Sequence, residues 1–505
     1  MPANPKSLAK LKADYEDLMD PIKGVRRIEN ALKDREENYH EYLEKWYALS
    51  KGAEYVYPSQ GLLQTPFDYL DIKSESILPQ EQLMETLRMR RFFLELFNHP
   101  LRITHLKEVD NSKFVAPKKI GAEAIEYATR NGMALSIGDL GSIINGSQNE
   151  RISRKERYAS GPFVKLGRQA RTFFVGSASP DVWNSAPAIA TMAASHCLSA
   201  IPRNGLTSSI ERQSDLAKEV FIWLKDMADE ILDGREDKKE ILTMWNKNVC
   251  GTIEANPKRV LERTTSLYKA GVRSFRVYSP EPGTGPLETL KVLRKEFGNK
   301  IEIFAGQVVD VKQAKDLEAA GADGLFVGIG GGGRCITGVR SGLAIDWPEL
   351  VFSLRGEINI PVIVEGGASD HIAITLLLGA SGIGVSRVVS GGTIESPGGI
   401  LYCVDSNGRL FKPYGGEASA RTKYLDGKLL PFEIPSFVEG EVTKAEKSYI
   451  KHVRPTLTYN LHLLIEDAIL ALVFRGAPDI TTLHNINPSP LRLISTSGDF
   501  QRNTH

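Results

Sequence analysis

From about residue 171 the chain alternates short apolar runs with amphipathic helical stretches, and this alternation constrains its fold more than any other feature. The strand-like runs are Thr172–Gly176, Cys197–Pro202, Val249–Ile253, Ser274–Tyr278, Glu302–Gly306, Gly324–Gly328, Pro361–Glu365 and Gly382–Ser386. Helical stretches occupy 256–270, 286–297, 311–320, 346–355 and 369–378. Such alternation signals parallel strands joined by crossover helices. Eight units predict an α/β fold, a closed (β/α)8 TIM barrel rather than an open sheet, with its chemistry at the C-terminal ends of the strands. Of 45 glycines, 24 fall between positions 271 and 400. A segment so enriched needs tight turns and close backbone approach. Beyond the eighth run, Ser406-Asn407-Gly408 between apolar runs predicts a hairpin within 400–414. Residues 456–475 read as a long helix.

The rest reads as additions to the barrel. Residues 1–150 are expected to form a mostly helical N-terminal extension, and residues 151–505 the barrel domain with a flap hairpin and a C-terminal helix. In the first 50 residues Leu8, Leu11, Tyr15 and Leu18 recur at helical spacing and predict a packed face. Tyr39, Tyr42, Trp46 and Tyr47 are expected to pack on the body of the protein rather than to stack on a base. Residues 51–150 alternate helical pieces with Pro/Gly breaks. The basic run Arg151–Arg157 reads as a solvated linker ahead of a phosphate contact.

Sixty-three Lys+Arg against 62 Asp+Glu give a net charge of +1, so nothing electrostatic argues for nucleic acid or an anionic membrane as partner. Cys197, Cys250, Cys335 and Cys403 are far apart and form no CxxC pair. A zinc site or disulfide framework is not expected, and a reducing cytoplasm fits. No uninterrupted apolar run of about 18 residues argues for a membrane span, and the charged N-terminus lacks the apolar core of a signal peptide.

The segment that stands out is GLFVGIGGGGRCIT, residues 324–337. It leaves a strand, enters a glycine-only turn and reaches Arg334 and Cys335. Four successive glycines weaken a strand but let backbone groups converge on a ligand or ion. A cysteine at the mouth of a barrel can act as a thiolate nucleophile. By residue type alone, a small buried structural cysteine is the commoner case.

The motifs in order carry a resemblance. GADGLFVGIGGGGRCIT is similar to the catalytic loop of the inosine monophosphate dehydrogenase and guanosine monophosphate reductase family, approximately GxDGLRVGxGxGSxCxT. AGQVVD, with Gln307, resembles GGNVVT. PVIVEGGAS, with Glu365-Gly366-Gly367, resembles PVIADGGI. TIESPG (393–398) resembles TEESPG, and KPYGGEAS (412–419) resembles KxYRGMGS. The likeness covers about residues 171–505, and order and spacing make it more specific than any one glycine pair. It implies a purine-nucleotide oxidoreductase with NAD or NADP, a TIM barrel, and no regulatory CBS pair, since residues 205–248 are too few and look helical.

The resemblance also implies roles. Cys335 would attack C2 of the purine, Thr337 would help to activate water or ammonia, and Glu439 is the candidate flap residue, with Ser436 in a second register. The nucleotide would meet Gly333, Arg334, Glu365, Gly366, Gly367, Arg387, Tyr414 and Ser419. The cofactor side falls at Tyr278, Ser279, Gln307 and Gly328. Gly330 and Gly332 with Cys335 match a potassium-type cation loop. A homo-tetramer is the implied assembly.

Several positions depart from the pattern. Gly333 replaces a phosphate-binding serine, and Arg387-Val388 replaces a Gly-Ser pair. Glu365 replaces an aspartate that holds the ribose, Phe326 an arginine, and Tyr278 an aspartate that contacts the nicotinamide ribose. Arg387 or Arg334 could supply phosphate contacts. A dehydrogenase, a reductase, an enzyme for a purine analogue and a non-catalytic nucleotide-binding scaffold therefore stand as the readings to weigh.

Overall fold

The computed structural model describes residues 5–20, 23, 26, 44–46, 48, 74–111, 113–131, 135–137, 152–177, 179–279, 283–328, 342, 345–417, 422, 446–450 and 455–502. Eight parallel strands form its centre: β1 (Phe174–Gly176), β2 (Ser199–Ile201), β3 (Val249–Glu254), β4 (Ser274–Tyr278), β5 (Glu302–Val308), β6 (Gly324–Val327), β7 (Val362–Val364) and β8 (Gly382–Val385). They pair in sequence from β2 through β8, and β8 pairs with β1. A parallel bridge between Val175 and Leu198 joins β1 to β2, and the Gly176 amide donates to the Leu198 carbonyl at 2.8 Å. The eight strands thus close into the (β/α)8 barrel. Because helices cover the outside and side chains fill the inside, most of these strands are buried on both faces and read as nearly continuous apolar runs.

Helices follow the strands where the sequence places them, at Val260–Ala270, Gly285–Phe297, Val311–Ala319, Trp347–Leu354 and Ile372–Leu378. Their ends carry ordinary caps: the Asp310 carboxylate accepts from the Gln313 amide at 2.7 Å, and Gly271 closes its helix at φ 114°. The first strand is shorter than Thr172–Gly176, because Thr172 ends a separate hairpin, Phe163–Leu166 with Gln169–Thr172. That hairpin plugs the N-terminal end of the barrel. There the Glu302 carboxylate accepts from Arg171 at 2.7 and 3.2 Å, from the Ser274 hydroxyl at 2.7 Å and from the Arg168 amide at 2.6 Å. Burial raises the pKa of this carboxyl, but Arg171 and the hydrogen bonds outweigh it and hold Glu302 below its ordinary value.

Four further elements matter for the site: α1 (Gln80–Phe97), α2 (Ala186–Ala194), α3 (Ile210–Ile231) and α4 (Leu457–Phe474). Leu224 and Met227 of α3 are buried and Phe221 is partly buried, which bears out a helical insertion between β2 and β3. The hairpin around Ser406-Asn407-Gly408 is present as β9 (Leu401–Val404) and β10 (Leu410–Tyr414), extended by β11 (Glu446–Tyr449). Ser74–Ile77 adds to the other edge, against β9. Trp46 is fully buried with Leu78, Leu83, Leu87, Ile394, Ile400 and Tyr402, and Tyr15 and Leu18 are buried in the main core. Tyr39, Tyr42 and Tyr47 lie outside the described residues. The long apolar helix α4 packs on α1, with the Phe93 ring 5.9 Å from Tyr459 and 4.3 Å from His462.

The basic run is not a linker. Ser153 and Glu156 form a capping box that starts a helix over Arg154–Ser160. The Arg157 guanidinium is buried and donates to the Ala477 carbonyl at 2.8 Å. A four-residue hydrogen-bonding pattern, Ser-x-x-Glu, outweighs the charge density that suggested solvation.

Candidate functional site

The C-terminal ends of the strands gather many of the expected residues at one mouth. After β7, Glu365 is followed by Gly366 at φ 81° and Gly367 at φ 86°. Two successive left-handed positions disfavour ordinary side chains, so the turn that follows β7 calls for glycine at both. Gly328, just after β6, has φ 122°, and a Cβ there would lie 2.0 Å from the Glu365 carbonyl oxygen. The β6 and β7 ends are pressed together so closely that only glycine fits.

Glu365 does not project alone. Arg276, on β4, donates from Nη1 and Nη2 to its two carboxylate oxygens at 2.8 and 2.6 Å. The two residues are 2% and 9% exposed. The guanidinium also lies 4.5 Å from the Tyr278 ring and 4.3 Å from the Phe326 ring. Burial alone would lower the arginine's pKa, but Glu365, with Tyr278 and Glu417 further off, holds it above its ordinary value. A second pair lies beside the first: Glu417 accepts from Asn204 Nδ2 at 2.6 Å and sits 3.6 Å from Arg203 Nε. Arg203 reaches within 5.9 Å of the Tyr278 ring. Tyr278 therefore packs against guanidinium groups.

Ser279 and Gln307 extend the β4–β5 ladder. The Ser279 amide donates to the Gly306 carbonyl at 3.0 Å, and the Gln307 amide to the Ser279 carbonyl at 3.1 Å. Gln307 is 1% exposed and, among the described residues, its Oε1 has no hydrogen-bond partner. A buried acceptor without a donor costs about 1–3 kcal/mol unless a ligand or water satisfies it.

On the β8 side, Arg387 begins the short helical turn Arg387–Ser390, and its guanidinium lies 6.0 Å from the Tyr414 ring at the end of β10. Two expected nucleotide contacts are thus brought together. Lys412, two residues before Tyr414, is buried and donates to the carbonyls of Thr393, Ser396 and Gly399 at 2.7, 3.2 and 2.7 Å. It clasps the TIESPG segment from beneath. Burial pushes its pKa down to about 7, against the pull of Glu395 and Cys403.

Cys335, Thr337, Glu439, Gly333, Arg334, Ser419, Gly330 and Gly332 lie outside the described residues, as does Ser436. The other three cysteines are buried and form no disulfide among the described residues. Burial pushes the Cys197 thiol up and that of Cys250 up to about 12. These two are poor thiolates at neutral pH. Among the described residues no cluster of three His, Cys, Asp or Glu side chains could hold a metal.

Arg276, Arg203 and Glu417 were not anticipated from the sequence. For Arg276 a signal exists: Ser274, Arg276 and Tyr278 alternate along a buried strand and share one face. A charge on that face of a barrel strand must be paired.

Comparison with known proteins agrees with the motif reading. A family model described as the IMP dehydrogenase / GMP reductase domain matches residues 120–503. Inosine-5'-monophosphate dehydrogenase 1 of Arabidopsis thaliana is 34% identical over 253 residues, 48% of each chain. Inosine-5'-monophosphate dehydrogenase 2 of the same plant is 30% identical over 305 residues, 56% of this chain and 58% of that one. Inosine-5'-monophosphate dehydrogenase of Helicobacter pylori is 32% identical over 196 residues, 36% of this chain and 40% of the relative. The matched stretches thus span about half the length of these curated relatives.

Proposed function

Because the chain belongs to the IMP dehydrogenase / GMP reductase family, we propose that it is a purine-nucleotide oxidoreductase whose nucleophile is Cys335. The observation that supports this most is the Glu365-Gly366-Gly367 turn, with two left-handed glycines, pressed against Gly328 at the start of the loop that carries Cys335. In this reading the thiolate bonds to C2 of the purine, and the C2 hydrogen leaves with its electron pair as hydride. Water, activated beside Thr337 and Glu439, then adds its oxygen to C2 and releases the thiolate. The nucleotide phosphate rests on the backbone of Gly366 and Gly367, near Arg387 and Tyr414, with Gly333, Arg334 and Ser419 as further contacts. Phosphate beyond strands seven and eight is the usual arrangement in this barrel.

A nicotinamide cofactor, NAD or NADP, would supply the hydride acceptor or donor. The residues suit its ring end: Gln307 Oε1 is a buried acceptor without a partner among the described residues, which matches a carboxamide N–H. Ser279, Gly328 and the Tyr278 ring would border it. Carbonyl oxygens of Gly330 and Gly332 are the donor type that a potassium ion takes. A homo-tetramer in the cytoplasm belongs to the same reading.

The test is turnover with IMP, XMP or GMP and NAD(P), followed at the reduced-nicotinamide band, with Cys335→Ala as control. The expected result is turnover in one pairing and its loss in Cys335→Ala, with nucleotide binding retained. Absence of turnover with every pairing refutes the ordinary version. A second reading, a purine analogue as substrate, is favoured by one observation, the engagement of both Glu365 oxygens by Arg276. Native mass spectrometry of the purified protein identifies a co-bound nucleotide and separates the two.

A further inference from the structure

We propose that a cavity at the N-terminal end of the barrel, opposite the mouth, is a second ligand site, suited to a small neutral heterocycle with a lactam edge, an N–H beside a C=O.

The cavity measures about 360 Å³, within the range of small-molecule sites. Four parts of the chain meet there: the helix Pro100–Glu108 with the segment after it, the plug hairpin, the residue before β8, and the short helix Ile480–His484. Ser381 immediately precedes β8, which places the cavity at the strand starts. None of the residues assigned above to nucleotide or cofactor lines it.

Its floor carries an unused hydroxyl. Ser381 is 1% exposed and its amide donates to the Val362 carbonyl at 2.8 Å, but its Oγ has no hydrogen-bond partner among the described residues. Protein interiors seldom leave such a group unpaired. His484 stands beside it, also buried, with Nε2 2.8 Å from the carbonyl of Ala380, the residue before Ser381. Burial, with Arg355 nearby, holds the imidazole down at about 3, so the ring is neutral. A carbonyl only accepts, so Nε2 carries the proton and Nδ1 is left as an acceptor.

These two groups ask for complementary partners. Nδ1 requires a donor, and the Ser381 hydroxyl has a proton to give to an acceptor. A donor next to an acceptor on one rigid frame is a lactam edge. Phe163 and Val164 are buried walls of the cavity and Phe114 a half-buried one, which favours a flat ring over an open chain. The rim selects no ion, because Lys113 and Lys165 stand with Glu108, Asp110 and Asp479. Glu108 is already 3.2 Å from His105 Nδ1, and Asp479 accepts from the Thr482 amide at 2.7 Å.

The experiment is ligand-observed NMR titration of the full chain with 2-pyridone, the simplest aromatic lactam, and with N-methyl-2-pyridone, which lacks the N–H. Wild type should bind 2-pyridone about five- to tenfold more tightly than the methylated probe, because only the former can donate to Nδ1. Ser381→Ala should weaken 2-pyridone about fivefold while the ligand-free melting temperature stays level or rises, since the hydroxyl it removes has nothing to bond. Phe114→Ala, at a half-buried position, should weaken both probes. No binding of 2-pyridone to wild type, equal affinity for the two probes, or wild-type affinity in Ser381→Ala overturns the proposal; the last result includes binding at the mouth. A lowered melting temperature in Ser381→Ala also overturns it, by showing that the hydroxyl is already satisfied within the fold. No purine nucleotide enters the titration, so each of these results leaves the reading of the mouth untouched.

Discussion

Arg90 on α1 provides the sharpest stability prediction, because it joins the N-terminal helix to the barrel through a dry ion pair. Its Nε lies 3.3 Å from Glu395 Oε1, with side-chain exposures of 3% and 0%. Arg90 Nη2 also donates to Thr191 Oγ1 of α2 at 3.0 Å, and the guanidinium lies 5.6 Å from the Trp46 ring. Glu395 belongs to the TIESPG segment and in turn accepts from Thr456 Oγ1 at 2.5 Å and the Leu457 amide at 3.1 Å, at the start of α4. Arg90→Met keeps the volume and removes the charge. Glu395 is then buried with two neutral donors and without its guanidinium partner. Breaking one side of a buried pair costs about 3–5 kcal/mol. At about 2.1 cal/mol/K per residue, unfolding all 505 residues carries about 1 kcal/mol/K of entropy, so the melting temperature should fall by about 3–5 °C. The assay is thermal unfolding followed by tryptophan fluorescence. The double variant Arg90→Met/Glu395→Met should lose less than Arg90→Met alone, because no charge is left stranded. A melting point within about 1 °C of wild type, or double-variant losses that simply add, would refute the claim that this pair binds α1 to the barrel.

Three other outcomes follow from the geometry. Glu302→Gln should destabilise the chain by about 3 kcal/mol at pH 7, because Arg171 loses its counter-ion in the plug of the barrel. Since the folded pKa of Glu302 is depressed, its stabilisation is complete above the ordinary carboxyl range and is lost as pH falls through the folded value. Melting curves should therefore converge between wild type and variant at acid pH, and a constant gap would contradict this. Gly328→Ala should abolish nucleotide binding in titrations, since its Cβ would lie 2.0 Å from the Glu365 carbonyl oxygen; binding at the wild-type level would rule out that crowding. Burial holds the folded Lys412 down at about 7, against 10.5 for an ordinary lysine, so the unfolded chain holds its proton at higher pH than the folded one. Stability contributed by this group should rise from about pH 7 towards pH 10, and Lys412→Met should flatten that rise in denaturant titrations.

The barrel was legible because its strands are buried on both sides, which writes them as apolar runs with a helix between each pair. Strand ends slipped where two strands abut: Thr172 belongs to the plug hairpin, and the apolar run carries no mark of the break at Phe173. Local hydrogen bonding was under-read at Ser153 and Glu156, whose spacing is that of a capping box. Ser74–Ile77 was not legible at all. Four residues, Ser-Glu-Ser-Ile, carry no periodicity, and their partner strand lies more than 320 residues on. Such pairing is decided by tertiary placement and not by propensity.

At the site, the sequence shows Glu365, Tyr278 and Phe326 as three separate departures from a family pattern. Their physical connection is a fourth residue, Arg276, that no motif marks. A glutamate's extra methylene gives the reach to meet a guanidinium coming from β4. A buried guanidinium requires flat, apolar or weakly negative walls, and the rings of Tyr278 and Phe326 are those walls. An arginine at 326 would instead place a second positive charge against the first, and an aspartate at 278 would compete with Glu365 for the same fork. Each replacement is thus compatible with the others and costly without them. The mouth of this barrel is therefore best understood as one set of four coupled side chains, with the positive charge on β4 and two successive left-handed glycines in the turn after β7.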